Sequence, residues 1–134
     1  MIQEELVKAA LQARNYAYAP YSKFSVGCAL LTKSGKIFTG CNVENISLGL
    51  TICAERAAVA AAIAEGQKDF VAIAVVTDSD APALPCGACR QVLAEFNPAV
   101  KIVASTLSGG TQEFSLSDLL PRPKQGIPEP PRNV

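Results

Sequence analysis

Apolar side chains at Ile2, Leu6, Ala9, Ala10, Ala13 and Ala17 recur at helical spacing, which puts them on one face of a helix. Glu4 and Glu5 near the start and Arg14 later suit the helix dipole, and Pro20 ends the pattern. The prediction is an amphipathic helix over residues 2–18. Phe24, Val26, Cys28 and Leu30 then alternate with other residues, as in a strand. Ser34-Gly35 marks a tight turn, and residues 37–43 read as the returning strand of an antiparallel hairpin.

Residues 44–50 are irregular, with Asn45 and Gly49 as loop signals. Residues 53–65 are rich in alanine and read as a helix, with Gly66 as its stop. Phe70 to Val76 is a nearly continuous apolar run, as expected of a strand covered on both faces. A loop over 78–85 leads to a helix over 87–96, stopped by Asn97-Pro98. A buried strand over 100–104 follows, then a turn at Ser108-Gly109-Gly110, a short edge strand over 111–114 and a brief helix over 117–120. Strand-helix-strand units imply parallel pairing, whereas the first hairpin is antiparallel. The simplest architecture is one mixed sheet with helices on both faces. Pro121, Pro123, Pro128, Pro130 and Pro131 crowd the end of the chain. Residues 1–121 are therefore expected to form a single domain and 122–134 an extended tail.

The 134 residues are 49% hydrophobic and 18% charged, values that suit a compact fold with a core of useful size. No apolar run approaches the roughly 20 residues that cross a bilayer. The acidic N-terminus lacks the basic-then-apolar order of a signal peptide, so a cytosolic location is expected. Twelve Lys and Arg balance 12 Asp and Glu, with no basic run. That argues against tight binding to a nucleic-acid backbone and favours a small polar or neutral ligand.

The chain has five cysteines and no histidine. Without histidine there is no Ser-His or Cys-His catalytic pair, and a zinc site must use thiolates, carboxylates or water. Pro85-Cys86-Gly87-Ala88-Cys89 is a Cys-x-x-Cys where a loop enters a helix. The helix N-terminus favours the thiolate form. Alone, this spacing fits a metal grip, a redox pair or two idle buried cysteines. Cys53 also opens a helix, and Cys53-Ala54-Glu55 stands upstream. A ligand, any residue, Glu, and later Pro-Cys-x-x-Cys is the signature of zinc deaminases, here with cysteine in the first position. Three ligands, Cys53, Cys86 and Cys89, leave one tetrahedral position open, as in catalytic sites.

Zn²⁺ with three thiolates is net negative, so a nearby cation would restore its Lewis acidity. Arg56 and Arg90 each follow a motif residue. Each is a candidate donor to a sulfur or, alternatively, a solvated helix arginine. Glu55 is two positions from Cys53, so the pair can converge only near the helix N-terminus. It reads either as a proton shuttle or as a first-turn glutamate that suits the dipole.

At these residues the chain resembles the small homo-tetrameric cytidine deaminases. Tyr18-Ala19-Pro20-Tyr21-Ser22, Phe24 to Leu31, Gly40 to Asn45, Cys53 to Arg56 and Pro85 to Gln91 look like family motifs, and the likeness extends to Leu119-Leu120-Pro121. The resemblance implies a three-layer α/β/α fold with one mixed five-stranded sheet and one zinc per subunit. It implies hydrolytic deamination of free cytidine and deoxycytidine to uridine and deoxyuridine, and a homotetramer whose sites draw on neighbouring subunits. Phe24 would pack on the pyrimidine, Asn42 and Glu44 would bind the ribose hydroxyls, and the Ala54 backbone and Glu55 would meet the amide edge of the base. Glu55 would carry a proton from water to ring N3 and then help ammonia leave, with attack at C4. Three positions depart from the family pattern: Leu48 and the Arg122-Pro123-Lys124 segment where relatives often carry an aromatic residue, and Ile46 where they carry a small one.

Other readings are deamination of a blasticidin-type nucleoside antibiotic, a nucleic-acid editor, a structural zinc module and a thiol redox protein. The structural module needs a fourth ligand, for which Cys28 and Cys41 are the spare thiols. Both read more simply as small core residues.

Overall fold

The computed structural model describes residues 2–125. Helix α1 (Ile2–Arg14) is followed by strands β1 (Val26–Thr32) and β2 (Ile37–Cys41), helix α2 (Ala54–Ala64), strand β3 (Phe70–Thr77) and helix α3 (Gly87–Phe96). Strands β4 (Lys101–Thr106) and β5 (Thr111–Ser115) and a one-turn helix, α4 (Leu116–Leu119), complete it. A short 3₁₀ turn spans Leu48–Leu50. The strands form one sheet in the order β2-β1-β3-β4-β5. Only β3 and β4 run parallel; the pairs β1–β2, β1–β3 and β4–β5 are antiparallel.

The alternation of side chains along the strands feeds two cores. Cys28, Leu30, Ile73, Val75 and Ile102 face α2, α3 and α4. Ala29, Leu31, Ala72, Ala74, Val76 and Val103 face α1. β3 is therefore apolar on both faces, as its unbroken run requires, and the sheet lies between helix layers in a three-layer α/β/α arrangement. On the α1 side the packing is backbone-close: a Cβ on Gly27 would lie 2.0 Å from Ala10 O.

Differences from the sequence reading lie at element ends. The first helix stops at Arg14 rather than residue 18, because Asn15, Tyr16 and Ala17 donate to the carbonyls three residues back and tighten the turn. Tyr18 is then drawn into a bridge with Val43. Strand β1 begins at Val26, leaving Phe24 off the ladder. β4 extends past Ala104, with Ser105 and Thr106 still paired to Val76 and Thr77. Of the expected tail, residues 122–125 form a turn against α3: Gln91 Nε2 donates to Pro123 O at 3.3 Å and Lys124 Nζ to Glu95 O at 3.3 Å. Pro128, Pro130 and Pro131 lie outside the described residues. No helix among the described residues is long and apolar enough to cross a membrane.

Candidate active site

Cys53 and Cys86 are the residues that immediately precede α2 and α3, with extended backbone (φ −73°, ψ 154° and φ −66°, ψ 167°). Cys89 lies in the first turn of α3 and is buried. The two helix N-termini thus bring three sulfurs within 4.8 Å of one another, with Cys53 and Cys86 4.0 Å apart. Sulfurs about 2.3 Å from a tetrahedral zinc stand roughly 3.8 Å from each other, so the cluster fits that ion, whereas a disulfide needs about 2 Å. All five cysteines are free. Among the described residues the metal-competent group contains neither Cys28, which is buried in the core, nor Cys41. A fourth thiol ligand is therefore not at hand, and the donor set is that of an open site.

The thiols differ in electrostatic setting. Cys86 lies below the ordinary thiol range; burial raises it, but the Cys89 and Ala88 backbone N–H groups and the neighbouring thiols outweigh that. Burial pushes Cys89 up, and the Glu55 charge adds to it. Arg56 stands one helical turn from Cys53, on the same face. Its Nη2 lies 3.4 Å from Cys53 Sγ and 3.5 Å from Thr51 O. It thus adopts the expected sulfur-donor position. Arg90 does not: its Nε donates to Pro85 O at 2.8 Å and an Nη to Leu119 O at 3.1 Å. Two of its five N–H donors are thus aimed at backbone carbonyls rather than at a sulfur.

Beside the sulfurs opens a cleft of about 260 Å³. Phe24, Asn42, Glu44, Ala54 and Glu55 line it together with Cys53 and Cys86. Glu55 is 5% exposed. Burial lifts its carboxyl above the usual glutamate range, against the pull of its own backbone N–H and of Arg56. Ala54 and Glu55 open α2, where backbone N–H groups have no partner within the helix. The cleft can thus hold a flat, polar ring between Phe24 and the sulfurs, with a proton-carrying carboxyl at its edge. Ser22, Thr51, Thr77 and Leu84 also line it. Sequence reasoning gave none of these four a role; Ser22, in the Tyr18–Ser22 motif, and Leu84, directly before Pro85-Cys86, had a signal.

The sequence family described as the cytidine and deoxycytidylate deaminase zinc-binding region matches residues 1–106. The chain belongs to this deaminase family. It is 54% identical over 122 residues to a cytidine deaminase of Halalkalibacterium halodurans, covering 90% of this chain and 92% of that one. It is 49% identical to a probable cytidine deaminase of Dictyostelium discoideum, covering 93% and 94%. In fold it is similar to the crystal structure of cytidine deaminase from Burkholderia pseudomallei, with a TM-score of 0.88, 50% identity and 91% and 98% of the two chains covered. The zinc-binding region of the deaminase family contains the three-cysteine cluster, and zinc is the metal this deaminase chain holds.

Proposed function

We propose that the protein is a zinc-dependent cytidine deaminase, which hydrolyses cytidine and deoxycytidine to uridine and deoxyuridine and releases ammonia. The observation that carries this reading is the buried Glu55 carboxyl lining one cleft with the thiol cluster. Cys53, Cys86 and Cys89 would hold the ion. Zinc in that set supplies Lewis acidity, which makes hydroxide available near neutral pH.

Glu55 performs the proton transfers. It accepts a proton from the attacking water and delivers it to ring N3 as oxygen adds at C4. A further proton passes through the same carboxyl to the exocyclic amine, which leaves as ammonia. A carboxyl raised by burial holds a proton more readily than a free glutamate, which suits a group that both accepts and donates. Phe24 packs on the ring, the Ala54 backbone meets its amide edge, and Asn42 and Glu44 face the ribose. Arg56 offsets the thiolate charge.

The protein acts as a homotetramer in the cytosol. Ile46 is 81% exposed and Leu48 74%, with Val43, Leu50 and Ile52 exposed beside them, an apolar grouping on the Val43–Ile52 loop next to the cleft that a neighbouring subunit would cover. Mass by light scattering is expected to be four times that of the chain; a monomer would remove this part of the reading. A reduced three-thiol cluster suits a reducing compartment.

The test is cytidine turnover by ultraviolet absorbance on zinc-loaded protein, wild type beside Glu55→Gln. Turnover by wild type and a loss of at least about a hundredfold in the variant are expected. Folded, zinc-loaded wild type that leaves cytidine untouched would overturn the substrate assignment.

A further inference from the structure

Phe24 is the aromatic wall of the cleft, yet no ladder holds it, because β1 starts two residues later. Its backbone is fixed by side chains instead. Asn42 Nδ2 donates to Phe24 O at 2.8 Å, and Asn42 Oδ1 accepts from Val26 N–H at 2.9 Å. Both sides of the Phe24–Val26 stretch are thus tied to one amide that is 8% exposed. On the other side, Phe24 N–H donates to Ser22 Oγ at 3.0 Å. That hydroxyl donates to Glu44 Oε2. Glu44 Oε1 also accepts from the N–H groups of Tyr21 and Ser22 at 2.9 and 3.1 Å. Lys23, between these anchors, has φ +61°, a left-handed conformation that persists only where surrounding contacts hold it.

We infer that Asn42 and Glu44 are positioning residues for Phe24: they fix both backbone polar groups of the aromatic wall, Glu44 through Ser22, whatever they also offer the ribose. The two residues alternate along the segment that directly follows β2, so one stretch of chain grips the Tyr21–Val26 segment at two points. The inference rests on the deaminase reading and deepens it. A residue that only reads ribose hydroxyls matters in proportion to those hydroxyls. A residue that sets the stacking wall matters equally without them.

The experiment compares cytidine with 2′,3′-dideoxycytidine on wild type, Asn42→Ala, Asn42→Asp and Glu44→Gln, each zinc-loaded. The dideoxy compound is followed as a substrate and as an inhibitor of cytidine turnover. A positioning role predicts that Asn42→Ala weakens both compounds by a similar factor, at least about tenfold, since misplacing a contact by ~1 Å can cost about a hundredfold. Asn42→Asp keeps the acceptor for Val26 N–H and loses the donor to Phe24 O, so it should fall between. Amide exchange in the ligand-free protein is the second readout. Exchange at Phe24 N–H, which Asn42 does not touch, should accelerate in Asn42→Ala and Glu44→Gln, while β4 amides stay protected. Loss of cytidine binding with the dideoxy compound unaffected, or unchanged Phe24 exchange, would overturn the inference. Wild type that turns over no cytidine would instead overturn the deaminase reading, and the exchange data would still judge the clamp.

Discussion

The Arg56 guanidinium lies 3.4 Å from Cys53 Sγ, one turn along the helix that Cys53 precedes. Three thiolates on one divalent ion leave a net negative centre, which weakens its Lewis acidity. A hydrogen bond from a permanent cation withdraws charge from the sulfur. Arg56→Gln is therefore expected to lower zinc affinity about ten- to a hundredfold, read by competition with a chromophoric chelator, and to lower kcat more than it raises KM. Unchanged zinc retention and kcat would make Arg56 a packing residue only.

Glu44 carries a pH dependence of known sign. The Ser22 hydroxyl and then the Ser22 backbone N–H, with lesser help from the Tyr21 N–H and the Lys23 charge, hold its carboxyl below the ordinary glutamate range, against an opposing effect of desolvation. A depressed folded value means that the carboxylate's contribution is complete above the unfolded value, about 4.3, and is lost as pH falls through the folded one. Amide signals of Tyr21, Ser22 and Phe24 should therefore stay constant from neutral pH down to about pH 4.3 and shift together only below it. In Glu44→Gln that transition should vanish. Its survival in the variant would assign it to another carboxyl.

Gly40 is the point where β2 meets the first turns of α2. A Cβ there would lie 2.4 Å from Ala54 O, 2.6 Å from Ala58 N and 3.0 Å from Ala57 Cβ. The obstacles are mostly backbone, so α2 must move away from the sheet, and Cys53, Ala54 and Glu55 move with it. Gly40→Ala is expected to cost about 1–3 kcal/mol of stability and to reduce zinc retention as well. Gly35→Ala is the contrast: its φ is +90° but nothing lies within 4 Å of the added carbon, so it should cost stability alone. Chemical denaturation paired with metal content tests this, and full zinc retention in Gly40→Ala would refute the coupling.

The three-cysteine cluster was legible in the sequence because spacing determines what a helix N-terminus can gather: Cys86 and Cys89 are three apart, and Cys53 opens the other helix. The sheet and both helix layers were legible because periodicity reports burial, and β3 is buried on both faces. Arg90 was not legible. Its place beside Cys89 left a sulfur donor and a solvated helix arginine equally open, and side-chain direction depends on carbonyls brought in from Pro85 and Leu119, the latter 29 residues away. The clamp around Phe24 was hidden for the same reason. Asn42 and Phe24 are 18 residues apart, and only the folded chain shows that the amide is engaged by backbone. Thr51 and Thr77 join the cleft through packing that no local pattern encodes.

Arg90 has a different task, and it is measurable. Its guanidinium joins the carbonyl just before Cys86 to that of Leu119 at the end of α4, and Gln91 and Lys124 add contacts between α3 and residues 123–124. One cation thus fastens α4 to the loop that presents Cys86. Hydrogen bonds from a charged donor contribute about 1.5–3 kcal/mol each, and the partly buried setting keeps solvent from replacing them fully. Arg90→Gln should lower stability by about 1–3 kcal/mol and accelerate amide exchange over residues 119–125, while β1 and β3 remain protected. Lysine cannot span both carbonyls with a planar fork, so Arg90→Lys should restore little. Exchange over 119–125 that matches wild type would show that apolar packing of Leu116 and Leu119 holds the segment, and that Arg90 is dispensable there.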